Sequence, residues 1–146
     1  MMRVESETVI GRPMDVVFSF AADVSNQIMW VPAVAEVRST SEDSIGVGAN
    51  FVQVVQFLGR RFEANFQVTK YEENRMMSFQ STSGPVEMEI IETFQPVGEQ
   101  TRAHLVLQGE PHGFFGVARP LLQNLVQRQL DTAVANLKDV LESREN

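Results

Sequence analysis

Two periods divide the chain. Apolar and polar residues alternate over most of it, and a helical repeat takes over in the last quarter. Arg3 to Ile10 sets Val4, Ser6, Thr8 and Ile10 against Arg3, Glu5, Glu7 and Val9, which predicts a half-buried strand with a charged outer face. Gly11-Arg12-Pro13 ends it. Pro13 to Ala22 carries Val16, Val17, Phe18, Phe20 and Ala21, a short helix with proline near its start. Asp23 to Met29 predicts a second short helix or turn, with Asp23 or Ser25 as N-cap, closed by Trp30-Val31-Pro32. A modest strand follows over Val34 and Val37. Strongly β-prone runs then occupy Asn50–Leu58, Arg61–Tyr71, Met76–Thr82, Val86–Gln95 and Thr101–Gln108. Turn residues separate them: Gly59-Arg60, Glu72-Glu73-Asn74, Gly84-Pro85, and Pro96 to Gln100. Arg61–Tyr71 alternates most clearly, with Phe62, Ala64, Phe66 and Val68 on one face. Short loops between such runs predict an antiparallel meander.

From Pro120 to about Arg144 no further Gly or Pro occurs, and Leu122, Val126, Leu130, Ala133, Val134, Leu137 and Leu141 recur at helical spacing. Pro120 suits the first turn, where its missing N–H costs nothing. Such a helix is too apolar on one face to stand in water, and a single sheet cannot bury its own apolar face. The simplest packing lays the helix across the curved sheet. The expectation is one α+β domain over residues 1–146, with seven antiparallel strands, two short helices after the first strand and a long C-terminal helix.

Charge and composition narrow the function. The formal charge of −7, from 12 basic and 19 acidic residues, argues against nucleic-acid binding and against electrostatic docking on anionic membrane. With no cysteine, a disulfide scaffold, a thiolate metal site and a cysteine nucleophile are excluded. The first residues lack the apolar core of a signal peptide, and no apolar run reaches membrane-spanning length, so a cytoplasmic location is expected. No His/Asp/Glu cluster has metal-ligand spacing, Gly46-x-Gly48 lacks the rest of a phosphate loop, and no Gly-x-Ser-x-Gly elbow is present. No metal and no cofactor are expected.

Several segments together resemble the START-like helix-grip (SRPBCC) superfamily, in its polyketide cyclase/dehydrase-like branch. They are the opening strand into Gly11-Arg12-Pro13-Met14-Asp15-Val16-Val17-Phe18, Asp23 through Trp30-Val31-Pro32, Gly46-Val47-Gly48, Val68-Thr69-Lys70-Tyr71, and Phe94 to Gly98 followed by Thr101. The resemblance spans essentially the whole chain. It implies a seven-stranded sheet gripping the C-terminal helix around an apolar cavity that holds lipids, polyketides or other hydrophobic molecules. Family members include carriers, receptors, cyclases, aromatases and chaperone cofactors, so fold alone does not decide function.

On that arrangement the alternation assigns inward Phe62, Ala64, Phe66 and Val68, and Ala103, Leu105 and Leu107. Phe51, Gln53, Val55 and Phe57 are preferred over Val52, Val54 and Leu58, and Phe79 and Ser81 are chosen on the next strand. From the helix, Leu121, Leu122, Leu125, Val126 and Gln129 should face the sheet near its open end. Trp30, the sole tryptophan, either packs or walls the cavity. The expected ligand-binding set is thus Trp30, Phe51, Gln53, Val55, Phe62, Phe66, Phe79, Ser81, Leu105, Leu121, Leu122, Leu125 and Gln129; its alternative role is simple core filling. Three residues are candidates for chemistry. Glu92 shares parity with Ile90 and Phe94, although a bulge at Ile90-Ile91 would turn it out. Gln53 offers hydrogen bonds. His112 lies in the loop before the helix, beside a Phe114-Phe115 pair that suits a gate or an anchor. His104 falls on the outer face. The leading expectation is a carrier or binding protein for a hydrophobic small molecule. A cyclase or aromatase is the alternative, and a partner-binding module with a vestigial cavity is a third. Homodimerisation is left open by the sequence.

Overall fold

The computed structural model describes residues 2–40, 46–84, 87–110 and 117–144. The alternating segments form strands β1 Met2–Ile10, β2 Val34–Ser39, β3 Asn50–Phe57, β4 Arg60–Glu72, β5 Met76–Ser83, β6 Glu87–Val97 and β7 Gln100–Glu110. They make one antiparallel sheet in the order β1-β7-β6-β5-β4-β3-β2. Strands β2 to β7 follow one another as a meander, and β1 returns to pair with β7. Between β1 and β2 lie α1 Met14–Ala22, a 3-10 turn Val24–Asn26 and α2 Gln27–Trp30, and α3 Arg119–Ser143 follows the sheet. This is the expected helix-grip α+β arrangement. Among the described residues, no helix is long and apolar enough to cross a membrane.

Local chemistry sets the turns and the register. Leu58 and Gly59 both take positive φ, 53° and 75°, as the mirror-image two-residue hairpin turn requires. The turn expected at Gly59-Arg60 therefore falls one residue earlier, and Arg60 already belongs to β4. A register shift between Val68 and Lys70 breaks the alternation of β4. Tyr71, rather than Lys70, then packs against the core, its ring edge-on to Phe18 with centroids 5.5 Å apart.

Helix α3 has 25 residues, a length of about 37 Å at 1.5 Å per residue. Its buried residues are Leu122, Leu130, Ala133, Val134, Leu137 and Leu141. The C-terminal half is fastened to β1 and the loop after it. Lys138 Nζ donates to the Val9 carbonyl at 2.7 Å, and Glu142 Oε2 accepts from the Gly11 N–H at 2.7 Å. Arg12 Nη1 donates to the carbonyls of Leu141 at 2.7 Å and Arg144 at 3.0 Å, which supplies donors at a helix end. This half closes one end of the domain with Ile10, Val17, Phe18, Met77, Phe94 and Ala103, all buried. The other half differs. Between Leu122 and Leu130 the sheet-facing side chains Val126 and Gln129 are only half-buried, and a space opens beneath them.

A candidate ligand cavity

The space between the sheet and the N-terminal half of α3 is a cavity of about 170 Å³. Its sheet wall comes from Val55, Phe57, Phe62, Phe79, Ile90, Leu105 and Leu107, its helix wall from Leu122, Val126, Gln129, Leu130 and Ala133. Met2 and Met88 contribute at the Leu122 end. A third wall is Gln27, Trp30, the turn Val31 to Ala33 and Val34 at the start of β2. Cross-strand register explains the sheet wall, because residues directly opposite one another share a face. Phe51 stands opposite Phe66, Gln53 opposite Ala64 and Val55 opposite Phe62, so the clear alternation of β4 fixes the face of β3. Glu92 stands opposite Met77 on β5 and Leu105 on β7, both buried. The β6–β7 ladder runs without a shift from Glu87 to Val97. No bulge turns Glu92 outward; its side chain is 2% exposed and lines the cavity.

Among the described residues, five polar side chains belong to the wall of this apolar space: Gln27, Trp30, Gln53, Glu92 and Gln129. Two of them satisfy each other, Gln53 Nε2 donating to Gln27 Oε1 at 2.7 Å. Trp30 is held through its carbonyl, which accepts from Asn136 Nδ2 at 3.2 Å, but its indole Nε1 has no partner among the described residues. Glu92 Oε1 and Gln129 Oε1 are likewise buried without partners among the described residues. Burial alone pushes the Glu92 carboxyl up to about 8, because an apolar surrounding disfavours the charged form. At neutral pH Glu92 is therefore an uncharged acid that can donate a proton in a hydrogen bond.

The sequence-predicted residues divide as follows. Trp30, Gln53, Val55, Phe62, Phe79, Leu105, Leu122 and Gln129 line the cavity, and Glu92 with them. Phe51 and Phe66 do not. Their rings stack at 5.4 Å and each packs edge-on against Phe79, at 5.1 and 5.4 Å, so Phe79 screens them from the space. Ser81 also lies elsewhere: the β5–β6 pairing has ended at Gln80, and the Ser81 hydroxyl accepts from the Met88 N–H at 3.0 Å. Leu121 is 55% exposed, since it sits about 100° around the helix from Leu122. Leu125 is half-buried beside the apolar stripe and does not reach the cavity. His112 and the Phe114-Phe115 pair lie outside the described residues. His104 is on the outer face, its Nε2 3.1 Å from Glu5 Oε2.

Gln27 was not anticipated, although a signal exists. It precedes Trp30 by three positions, which places both on one helical face, while the intervening Ile28 and Met29 are exposed. Met88 and Ile90 share strand parity with Glu92 and follow it inward. The wall from Val31 to Ala33 carries no periodic signal, because a turn has none. Met2 lies just before the predicted strand.

The family model described as "Polyketide cyclase / dehydrase and lipid transport" matches residues 1–142. No curated protein matches the sequence. Solved structures match in fold. Protein TTHA0849 from Thermus thermophilus has a TM-score of 0.81 at 23% identity, covering 95% of this chain and 96% of its own. A START superfamily protein from Mycobacterium smegmatis has a TM-score of 0.84 at 16% identity, covering 97% and 98%. The Zhui aromatase/cyclase from Streptomyces sp. R1128 has a TM-score of 0.77 at 16% identity, covering 97% and 94%.

Proposed function

The chain belongs to the polyketide cyclase/dehydrase and lipid transport family, and from that premise we propose that it binds and carries a hydrophobic small molecule in the cavity between sheet and α3. One observation carries the reading. The wall of an apolar cavity includes Trp30, Glu92 and Gln129, each with a buried polar atom, Nε1, Oε1 and Oε1 respectively, that no other described residue satisfies. Leaving such an atom unpaired costs about 1–3 kcal/mol. A core selected for stability alone would fill the space and replace these groups. A site selected for a ligand keeps them for the ligand.

The enzymatic alternative is a cyclase or aromatase that folds a poly-ketone chain; the Zhui protein is named an aromatase/cyclase. One feature favours it: Glu92 is a neutral acid inside the cavity, and general acid chemistry needs such a group. Gln53 gives less support, because its amide is already bound to Gln27. A partner-binding module with a vestigial cavity is the weakest reading, since the cavity is open and three of its wall residues keep a polar atom without a partner among the described residues.

Native mass spectrometry of protein purified from its own host tests the carrier reading. The expected spectrum shows an added mass that organic solvent extracts. A Val126→Trp variant, which fills the cavity from the helix side, should be folded and bare. A bare wild-type protein, or a variant that keeps the added mass, contradicts the reading.

A further inference from the structure

The size of the cavity and the surface it presents limit what it can hold. Its volume of about 170 Å³ is close to the ~150 Å³ cavity that holds benzene in an engineered protein core. It falls below the ~300–1,000 Å³ usual for pockets that take drug-sized ligands. The surface that the wall turns to this space is apolar almost throughout. Water gains little there, because a buried water needs about 2–4 polar partners. Among the described residues the wall contains no Lys, Arg or His, so a carboxylate or phosphate end would lose its hydration without meeting a counter-charge. An ammonium would find only Glu92, whose carboxyl is held neutral by burial.

One side chain fixes the limit on size. Phe79 lines the cavity, whereas Phe51 and Phe66 behind it do not, and all three are buried. The Phe79 ring meets theirs edge-on at 5.1 and 5.4 Å, and those two rings stack on each other at 5.4 Å. Three rings packed at core density leave Phe79 no neighbouring space to turn into. Its backbone is fixed too, paired opposite Val68 on β4 and Ile90 on β6. Across the space Leu130 and Ala133 of α3 are buried, and the Trp30 carbonyl is tied to Asn136. From this packing we infer that the cavity accepts an uncharged, apolar body about the size of one six-membered ring, and that Phe79 is the residue that excludes a second fused ring. The inference rests on the carrier reading and narrows it to a size and a chemical class.

Isothermal titration at pH 7 with toluene, naphthalene and benzoate tests it. A second fused ring, if buried as well, would tighten binding about tenfold through ~60 Å² of additional apolar surface. In the wild-type protein naphthalene should bind no tighter than toluene, against its greater hydrophobicity, and benzoate should not bind. Phe79→Ala opens the space that the ring fills, and naphthalene should then bind at least ~10-fold tighter than toluene. Loss of a core ring can unfold a small domain, so Phe79→Leu is measured beside it, and urea unfolding shows which variant is folded. The leucine variant should shift the preference the same way, by about threefold. A wild-type protein that binds naphthalene tenfold tighter than toluene, or benzoate as tightly as toluene, overturns the inference and leaves the carrier reading standing. A folded Phe79 variant that keeps the wild-type preference overturns the role of Phe79. If none of the three probes binds the wild-type protein, the carrier reading fails and the inference fails with it.

Discussion

Glu92→Gln should stabilise the protein, and by an amount that grows with pH. In the folded protein burial raises the carboxyl from 4.5 to about 8. The unfolded chain releases the same proton near the ordinary value. Between these two values the unfolded state binds fewer protons than the folded state, so stability falls as pH rises. The contribution is fully favourable below 4.5 and is lost as pH climbs through about 8. At about 1.4 kcal/mol per pH unit the full span corresponds to about 5 kcal/mol, of which about 3 kcal/mol falls between pH 5 and pH 8. Glutamine keeps the size and the hydrogen-bonding end but has no proton to lose. Urea unfolding of both proteins at several pH values gives the difference curve. Glu5 and Glu142, whose carboxyls are held below the ordinary value by the His104 and Lys138 side chains respectively, contribute with the opposite sign. They are common to both proteins and cancel. The variant should lie close to wild type near pH 5 and pull ahead by about 3 kcal/mol at pH 8. A difference that stays constant across the range would refute the reasoning, because Glu92 would then titrate as if in water.

Three further substitutions test the frame that holds the cavity. Gly109→Ala should destabilise by about 1–3 kcal/mol: its new Cβ would collide with the Glu87 carbonyl and lie 2.9 Å from Met88 Cα, prising β6 from β7 in a way that chemical denaturation detects. Leu58→Asn should raise the thermal midpoint by about 2–4 °C, since a branched side chain at φ 53° is strained there and asparagine is tolerated. An unchanged or lower midpoint would mean that the turn carries no strain. Leu137→Ala, at a position with 0% exposure, should cost about 2–5 kcal/mol, measured by urea unfolding, whereas the same protein should still bind ligand.

The fold was readable because its two periods are strong. The alternation Phe62, Ala64, Phe66, Val68 survives in β4 until the shift after Val68, and every second residue there is buried or half-buried. Strand β3 was ambiguous for a physical reason: Phe51 through Val55 are all buried. Val52 lies opposite Arg38 and Asn65, and Val54 opposite Glu36 and Glu63. An Arg38–Glu63 ion pair at 3.2 Å runs among these outer-face neighbours. Long charged side chains shelter apolar surface in this way, so hydrophobicity on both faces hid the direction of Gln53. Pairing with β4 settles it, and pairing is a long-range property. Parity alone points to Glu92, and its neighbours Met77 and Leu105 supply what parity lacks. Phe51 and Phe66 were misplaced because alternation gives a face and not a depth: both point inward, yet Phe79 stands between them and the space. Leu121 and Leu125 were misplaced because a run of leucines blurs the edge of a helical stripe.

Methyl NMR of the isotope-labelled protein titrated with toluene tests the central claim most directly. The account predicts saturable shifts at Val55, Ile90, Leu105, Leu107, Leu122 and Val126, all on the cavity wall. Val17, Val134 and Leu141, in the closed half of the core, should not move. Shifts confined to the closed half, or no saturable shift at all, would contradict it.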